Sequence, residues 1–191
     1  NIGGGLIYNY AKNGGTSEIG DISGGISGNE VTALSNIYGG VLDNYSGGAD
    51  SKATVGALSD GIKENIIKST NSGIEGGLIR NYANNTGTSE IGNISGGISG
   101  NEVTASTSYI QGGVLYNYSV GTNSKATVGA LSDGIKENII KSANNYIRGG
   151  LIYNYASHGT SEIGDITGGI SGNEVTASSY IWGGVLYNYA S

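Results

Sequence analysis

The chain has 191 residues, of which 37 are glycine and none is proline or cysteine, and its formal net charge is −6. These figures exclude collagen, which needs glycine at every third position and abundant proline, and they exclude disulfides and thiolate metal sites. The acidic balance argues against a nucleic-acid partner, which needs clustered Lys and Arg, and no run of ~20 apolar residues predicts membrane insertion of this segment.

One short pattern recurs along the chain: a glycine, an aliphatic residue, two variable positions and an asparagine. We interpret each recurrence as one turn of a solenoid, which predicts about eleven turns of about 18 residues. The motif glycines are Gly5, Gly25, Gly40, Gly61, Gly77, Gly97, Gly113, Gly134, Gly150, Gly169 and Gly184. The matching asparagines are Asn9, Asn29, Asn44, Asn65, Asn81, Asn101, Asn117, Asn138, Asn154, Asn173 and Asn188.

In chain order, four unlike turns follow one another, at residues 1–17, 18–35, 37–51 and 52–69. The fourth returns without a change at 125–142. The chain therefore reads as a single β-solenoid segment built of three blocks, which are 1–73, 74–146 and 147–191. Because it starts and stops inside a repeat and has no initiator methionine, we expect a fragment of a longer protein.

The turns are too short for the paired helices of a helical solenoid, and short alternating segments bounded by turn residues predict strands. The fold class we predict is all-β, a parallel β-helix. One segment has conflicting signals: Ala57 to Lys68 contains helix formers and a helix-like charge pattern. Gly61 and Asn65 nevertheless occupy the repeat positions, and so we predict strand there as well.

The repeated asparagine should have a structural role. If every turn places it at the same corner, the eleven side chains form a single row along the axis, each amide bonding the next at about 4.8 Å. We expect these residues to adopt the left-handed conformation that asparagine tolerates at corners.

No catalytic residue, cofactor site or metal site is predicted. His158 lies in a polar loop without a distinctive partner, and we interpret it as exposed. Carboxylates recur from block to block, whereas an active site is normally one irregular cluster; they are Glu18, Glu90, Glu162, Glu30, Glu102, Glu174, Asp60 and Asp133. The stretch from Gly24 to Glu30 resembles the calcium-binding nonapeptide, but with an extra residue, Asn for Asp and no tandem copy.

Two columns vary between the otherwise similar blocks. One consists of Tyr38, Glu75, Gln111, Arg148 and Trp182, and the other of Tyr8, Asp43, Arg80, Tyr116, Tyr153 and Tyr187. If the columns face outward, their Tyr, Arg and Trp side chains form a binding surface, since these types are enriched in hot spots. That surface would comprise Tyr8, Tyr38, Arg80, Tyr116, Arg148, Tyr153, Trp182 and Tyr187. The alternative is drift on a tolerant surface.

Gly-Gly-Leu-Ile-Tyr-Asn-Tyr at 149–155 and Ile-Gly-Asp-Ile-Thr-Gly-Gly-Ile-Ser-Gly-Asn at 163–173 resemble the short repeats of bacterial autotransporter passenger regions. Those repeats typically read Gly-Gly-Ala-Ile-Tyr-Asn and Ile-Gly-Asp-Ile-Thr-Gly-Asp-Phe-Ile-Gly-Asn, so Gly-Ile stands here where Asp-Phe is usual. The resemblance implies a right-handed parallel β-helix that is extracellular, on the cell surface, within a parent protein anchored in the outer membrane. It implies a stalk or adhesin and carries over no catalytic residue.

The first functional hypothesis is a non-enzymatic structural or adhesive segment, with a host-surface protein or glycan as partner. A second is a self-assembling extracellular filament; against it, joining copies end to end would omit the turn type of 52–69. A third is a carbohydrate-active β-helix enzyme, which would need clustered carboxylates that interrupt the repeat.

Overall fold

The computed structural model describes all residues from 1 to 191 and contains 27 strands and no helix. The strands are β1 (Ile2–Gly3), β2 (Ile7–Lys12), β3 (Thr16–Ile19), β4 (Ile26–Ser27), β5 (Glu30–Ala33), β6 (Ile37–Tyr38), β7 (Leu42–Gly47), β8 (Lys52–Val55), β9 (Ile62–Lys63), β10 (Ile66–Ser69), β11 (Ile74–Glu75), β12 (Ile79–Asn84), β13 (Thr88–Ile91), β14 (Ile98–Ser99), β15 (Glu102–Ala105), β16 (Ile110–Gln111), β17 (Leu115–Val120), β18 (Lys125–Val128), β19 (Ile135–Lys136), β20 (Ile139–Ser142), β21 (Ile147–Arg148), β22 (Ile152–Ser157), β23 (Thr160–Ile163), β24 (Ile170–Ser171), β25 (Glu174–Ala177), β26 (Ile181–Trp182) and β27 (Leu186–Ala190). The all-β class predicted from the sequence is confirmed.

The strands form five parallel sheets, because each strand pairs with the strand that lies five positions earlier in the chain. Sheet 1 contains β1, β6, β11, β16, β21 and β26, and sheet 2 contains β2, β7, β12, β17, β22 and β27. Sheet 3 contains β3, β8, β13, β18 and β23; sheet 4 contains β4, β9, β14, β19 and β24; sheet 5 contains β5, β10, β15, β20 and β25. Each coil of the solenoid supplies one strand to each sheet.

The number of turns predicted from the sequence is wrong. The chain makes about 5 coils of ~36 residues, not eleven of about 18, and a sixth coil contributes only β26 and β27. Asn81 pairs with Asn117 in the next coil, 36 residues away. The reason is that the two motif forms, Gly5 to Asn9 and Gly25 to Asn29, lie on different sides of one coil. Stacking like on like therefore requires two motifs per coil.

The interior is a narrow aliphatic column. A cluster of 27 buried hydrophobic residues fills it, and most are Ile, Leu or Val. Parallel pairing places like residues above one another, as in Ile37, Ile74 and Ile110 of sheet 1, all of which are fully buried. Each such side chain contributes about 1.5–3 kcal/mol to stability through burial.

Glycine is required where successive coils touch. A Cβ added to Gly77 would overlap the carbonyl oxygen of Gly113 and the side chain of Val103. The same contact recurs one coil later, where Gly113 approaches Gly150. The glycine column of Gly5, Gly40, Gly77, Gly113 and Gly150 therefore sets the close approach of neighbouring coils, which a side chain would prevent.

The asparagines form two ladders instead of the single predicted row. One lies in sheet 2, where Asn81 Nδ2 donates to Asn117 Oδ1 over 2.9 Å, and its members are Asn9, Asn44, Asn81, Asn117, Asn154 and Asn188. The other precedes sheet 5, where Asn65 Nδ2 donates to Asn101 Oδ1 over 3.0 Å, and its members are Asn29, Asn65, Asn101, Asn138 and Asn173. None of the eleven has a positive φ, so the expected left-handed conformation is also wrong. Glycine and a few other residues, such as Glu64 and Asp60, occupy those corners instead.

The segment with conflicting signals is extended, as predicted. Within Ala57 to Lys68 the structure contains β9 and most of β10, and Glu64 between them has a φ of 56°. Its helix propensity is overridden because Ile62 and Ile67 are fully buried in the aliphatic column, which strand pairing with the neighbouring coils makes available.

Candidate functional site

The outer surface of sheet 2 is the most distinctive surface of the molecule. Its strands alternate, so that in β12 Ile79, Asn81 and Ala83 point inward and are fully buried, while Arg80 and Tyr82 lie on the outside. This is the period of two that a pleated strand imposes. The same alternation holds in the other five strands of this sheet, so two outward columns run the length of the solenoid.

The first outward column is a row of tyrosines, which we call the outer tyrosine row; its rings are stacked from Tyr45 to Tyr189, and Tyr10 is tilted by 41° against Tyr45. Its members are Tyr10, Tyr45, Tyr82, Tyr118, Tyr155 and Tyr189, one from each coil. Tyr82 and Tyr118 stack with ring centroids 5.1 Å apart and planes 5° apart, and Tyr118 and Tyr155 stack at 4.7 Å. Because the rings lie face to face along the axis, the row presents ring edges to solvent, not faces.

The second outward column, which we call the inner column, contains Tyr8, Asp43, Arg80, Tyr116, Tyr153 and Tyr187. Tyr116, Tyr153 and Tyr187 stack at 5.0 and 5.1 Å. They also lie beside the outer row, since the rings of Tyr116 and Tyr118 are 5.3 Å apart. Tyr116 and Tyr153 are only 4% and 3% exposed, so most of this column is covered although it points away from the core.

A charged cluster interrupts the inner column in the second and third coils. One nitrogen of Arg80, Nη1, donates to both carboxylate oxygens of Asp43, at 3.1 and 3.2 Å. The Arg80 Nε lies 3.8 Å from Glu75 Oε2, too far for a hydrogen bond, and is buried without a partner. The guanidinium carbon also lies 4.7 Å from the Tyr38 ring and 4.6 Å from that of Tyr82. The cation is therefore enclosed by two carboxylates and aromatic rings.

Burial dominates the electrostatics of this cluster. It raises the pKa of Asp43 to about 6, because desolvation of the carboxylate, with the like charge of Glu75, outweighs the opposing effect of Arg80. Burial also raises the pKa of Tyr118 to about 12, and the pKa of Tyr116 lies well above its ordinary value for the same reason. Those two tyrosines are therefore neutral phenols at physiological pH.

The column in sheet 1 lies beside this surface and contains Tyr38, Glu75, Gln111, Arg148 and Trp182. The Arg148 guanidinium carbon lies 5.0 Å from the Tyr146 ring and 4.7 Å from the ring of Trp182. Tyr109 donates its hydroxyl to Glu75 and stacks on Tyr146 at 5.5 Å. A second, shorter aromatic array thus borders the tyrosines of sheet 2.

The structure brings the predicted binding-surface residues together, but not all of them are exposed as predicted. Tyr8 and Trp182 are exposed, and Tyr38, Arg148 and Tyr187 are half-buried. Arg80, Tyr116 and Tyr153 are buried, which corrects the expectation that both columns lie open to solvent. They are covered because the outer row and the sheet 1 column close over them from either side.

Sequence reasoning omitted the outer tyrosine row from the binding surface. The signal was present, since a tyrosine follows the ladder asparagine of sheet 2 in every coil. It was treated as part of an unvarying motif, and variation was used to select surface residues. The alignment of the six rings became visible only once the coil length was known.

Sheets 3 and 5 carry the repeated glutamates on their outer faces. Lys52 lies 3.1 Å from Glu90, Lys125 lies 3.9 Å from Glu162, and Lys141 lies 3.2 Å from Glu174. When the coils are numbered from the N-terminus, each pair joins an even-numbered coil to the odd-numbered coil that follows it. Charges therefore alternate in sign along the axis. A shallow groove of about 440 Å³ follows sheet 3 and includes Glu18, Lys52 and Glu90.

No group of three or more His, Cys, Asp or Glu side chains is arranged to hold a metal ion, and no helix could span a membrane. His158 is exposed, has a φ of 57°, and its Nδ1 lies 3.1 Å from the hydroxyl of its neighbour Ser157.

The fold and this surface define the class of the chain, which is a parallel β-solenoid of stacked coils with a longitudinal array of aromatic side chains. Comparison of the chain with family models, with curated proteins and with solved structures found no match.

Proposed function

We propose that the chain is a structural and adhesive segment of a longer extracellular protein. The solenoid serves as a stalk, and the outer tyrosine row with its neighbours serves as a repeated contact surface. The observation that carries the proposal is the row itself: six tyrosines, one per coil, with ring centroids near 5 Å apart along a single face, five of them stacked in parallel. The resemblance of 149–155 and 163–173 to autotransporter passenger repeats supports display at the cell surface.

The chemistry of the row suits a partner at the host surface, either a protein or a glycan. Tyrosine edges supply apolar contact and a hydroxyl at once, and this combination is why tyrosine is enriched at binding hot spots. A contact repeated coil after coil also gains affinity by multivalency when the partner is itself repeated or extended. A ligand that must stack on aromatic faces fits the middle of the row poorly, because each face is covered by the next ring.

The test is retention of the purified chain on host cells and on an array of immobilised glycans. A variant with Tyr45, Tyr82, Tyr118 and Tyr155 changed to Thr removes the row and keeps residues that favour strands. We expect its retention to fall at least tenfold. The matched control changes Glu18, Glu90 and Glu162 on sheet 3 to Thr, the residue that even coils already have there, and should bind as the unmodified chain does.

Circular dichroism must first show that both variants keep their β structure. Equal retention of the tyrosine variant and the unmodified chain would overturn the assignment of the contact surface. Failure of the unmodified chain to bind any host cell or glycan would overturn the adhesive function.

A further inference from the structure

The outer tyrosine row has a geometry that matters for oxidation chemistry. Four successive contacts, from Tyr45 to Tyr189, have ring centroids between 4.7 and 5.1 Å and planes within 12° of parallel. Because these tyrosines are paired in register on neighbouring strands, the ring carbons next to the hydroxyl of one phenol lie on the same side of the sheet as the equivalent carbons of the next. Those are the positions at which two tyrosyl radicals join.

The composition of the chain directs one-electron oxidants to these rings. Cysteine and methionine, the side chains that oxidants usually attack first, are both absent, while there are 14 tyrosines and one tryptophan. The outer row is also accessible: Tyr10 and Tyr189 are 39% and 43% exposed, and the four between them are half-buried. An oxidant that reaches sheet 2 therefore meets a tyrosine edge.

We propose that the outer tyrosine row is a site of oxidative cross-linking, in which tyrosines of neighbouring coils couple to dityrosine. The oxidant class is a peroxide activated by a haem peroxidase. Two phenols each lose one electron and their hydroxyl proton, and the peroxide takes up both electrons and both protons to become two waters. The two radicals then form a carbon–carbon bond ortho to their oxygens, and the two displaced ring hydrogens move to those oxygens.

Tyr118 and Tyr155 are the pair the geometry favours most. Their centroids are the closest in the row, at 4.7 Å, and their planes are 5° apart. The hydroxyl of Tyr45, in contrast, accepts a hydrogen bond from Asn84 at 3.0 Å, which restrains that ring. Coupling of Tyr118 to Tyr155 would join two successive coils across 37 residues and would raise the temperature at which they separate.

The inner column supplies a built-in comparison. Tyr116 and Tyr153 stack at 5.0 Å with planes 6° apart, nearly the same geometry as Tyr118 and Tyr155. They are only 4% and 3% exposed, so close packing restrains the rings from turning toward the angle that the new bond requires and keeps the oxidant away. Cross-linking should therefore occur in the outer row and not in the inner column. The inference concerns the chemistry of the row and stands whether or not the row is adhesive.

The experiment treats the folded chain with hydrogen peroxide and horseradish peroxidase at low protein concentration, and separates the monomer on a denaturing gel. We expect monomer that is two hydrogens lighter per link and has the blue fluorescence of dityrosine. Trypsin cuts after Arg80, Lys125 and Arg148, so the expected link joins peptides 81–125 and 149–191. Fragmentation of that joined pair in the mass spectrometer assigns the two tyrosines.

Two variants make the assignment specific. Tyr118→Phe keeps the ring and the stack but has no hydroxyl to lose, and we expect loss of the Tyr118–Tyr155 link. Tyr116→Phe makes the same change in the inner column and should leave that link at its original yield. The idea is overturned if Tyr118→Phe gives the same joined peptides as the unmodified chain, if Tyr116→Phe removes them, or if coupling occurs only between molecules and disappears on dilution.

Discussion

At the residue scale, the pair of Asp43 and Arg80 is the clearest departure from the repeat. Four of the six positions in the inner column hold tyrosine, and these two hold opposite charges in neighbouring coils. A buried ion pair of this kind often contributes less than well-packed apolar residues would, because both charges lose their hydration. Here one guanidinium nitrogen, Nε, also lacks a hydrogen-bond partner.

The first prediction concerns this pair. Arg80→Tyr alone leaves the Asp43 carboxylate buried without its counterion, and we expect a loss of about 3 kcal/mol at pH 7. Adding Asp43→Tyr should recover that loss and more, because the inner column then becomes an unbroken tyrosine stack. Chemical denaturation of the two variants and the original chain measures the difference. If the double variant were no more stable than Arg80→Tyr, the ion pair would not be the cause.

The second prediction follows from the pKa of Asp43. Since its pKa is raised from 3.8 to about 6 on folding, the folded state binds the Asp43 proton more tightly than the unfolded state does. The contribution of Asp43 to the free energy of unfolding is therefore fully present below about pH 4 and is lost as the pH rises through 6. The change amounts to roughly 3 kcal/mol, at 1.36 kcal/mol per pKa unit.

Other carboxylates titrate in the same range, and so the measurement is a difference. The stability of the original chain minus that of Asp43→Asn should fall between pH 4 and pH 7, because the variant lacks the titrating group. A difference that is flat across this range, or that rises with pH, would contradict the raised pKa.

At the scale of the element, the ladders show how one side chain is used by several strands. Asn101 Nδ2 donates to Asn138, to the carbonyl of Ile62 and to that of Ser99, at 2.8 to 3.0 Å. Its Oδ1 accepts from both the backbone and the side-chain nitrogen of Asn65. The residue is 1% exposed, and so none of these partners can turn to water if it is removed.

The third prediction compares two members of this ladder. Asn101→Ala should cost about 3 kcal/mol, because it leaves several buried polar groups unpaired. Asn29→Ala, where the side chain is half-buried and has fewer partners, should cost about 1 kcal/mol. Thermal unfolding followed by circular dichroism compares the two. Equal losses at both positions would mean that burial of the amide does not set the cost.

At the scale of the whole molecule, the solenoid alternates between two kinds of coil. Odd coils carry glutamates where even coils carry Thr or Ile, as in the column of Glu90, Thr127 and Glu162 and that of Glu102, Ile139 and Glu174. Like charges directly opposite each other on neighbouring strands are destabilising. The two-coil block of the sequence therefore keeps the glutamates of these two columns two coils apart.

The fourth prediction tests this alternation by removing one coil. Deleting residues 110–146 joins Tyr109 directly to Ile147, which a tyrosine, Tyr146, also precedes in the full-length chain. The deletion keeps every sheet continuous. It also places Glu90 against Glu162 and Glu102 against Glu174. We expect the shortened chain to fold but to be destabilised by about 1 kcal/mol beyond the loss of the coil itself.

The control for this deletion replaces the two glutamates with the uncharged residues that an even coil has at the same positions. Changing Glu162 to Thr and Glu174 to Ile in the shortened chain should recover that additional loss in thermal unfolding. The same two changes in the full-length chain serve as the reference. If they stabilise both chains equally, the alternation of charge does not limit the order of the coils.

The sequence by itself determined that the chain is a β-solenoid, that its asparagines and glycines are structural, and that the segment around Ile62 and Asn65 is extended. These follow from residue types repeated at fixed intervals, because a repeat that stacks must place like side chains together. Tertiary structure alone decided that two motifs make one coil, that the asparagines form two ladders, and that Arg80, Tyr116 and Tyr153 are covered. Which residues become neighbours across coils depends on the length of the closed circuit, and a periodic sequence is compatible with any whole multiple of its shortest repeat.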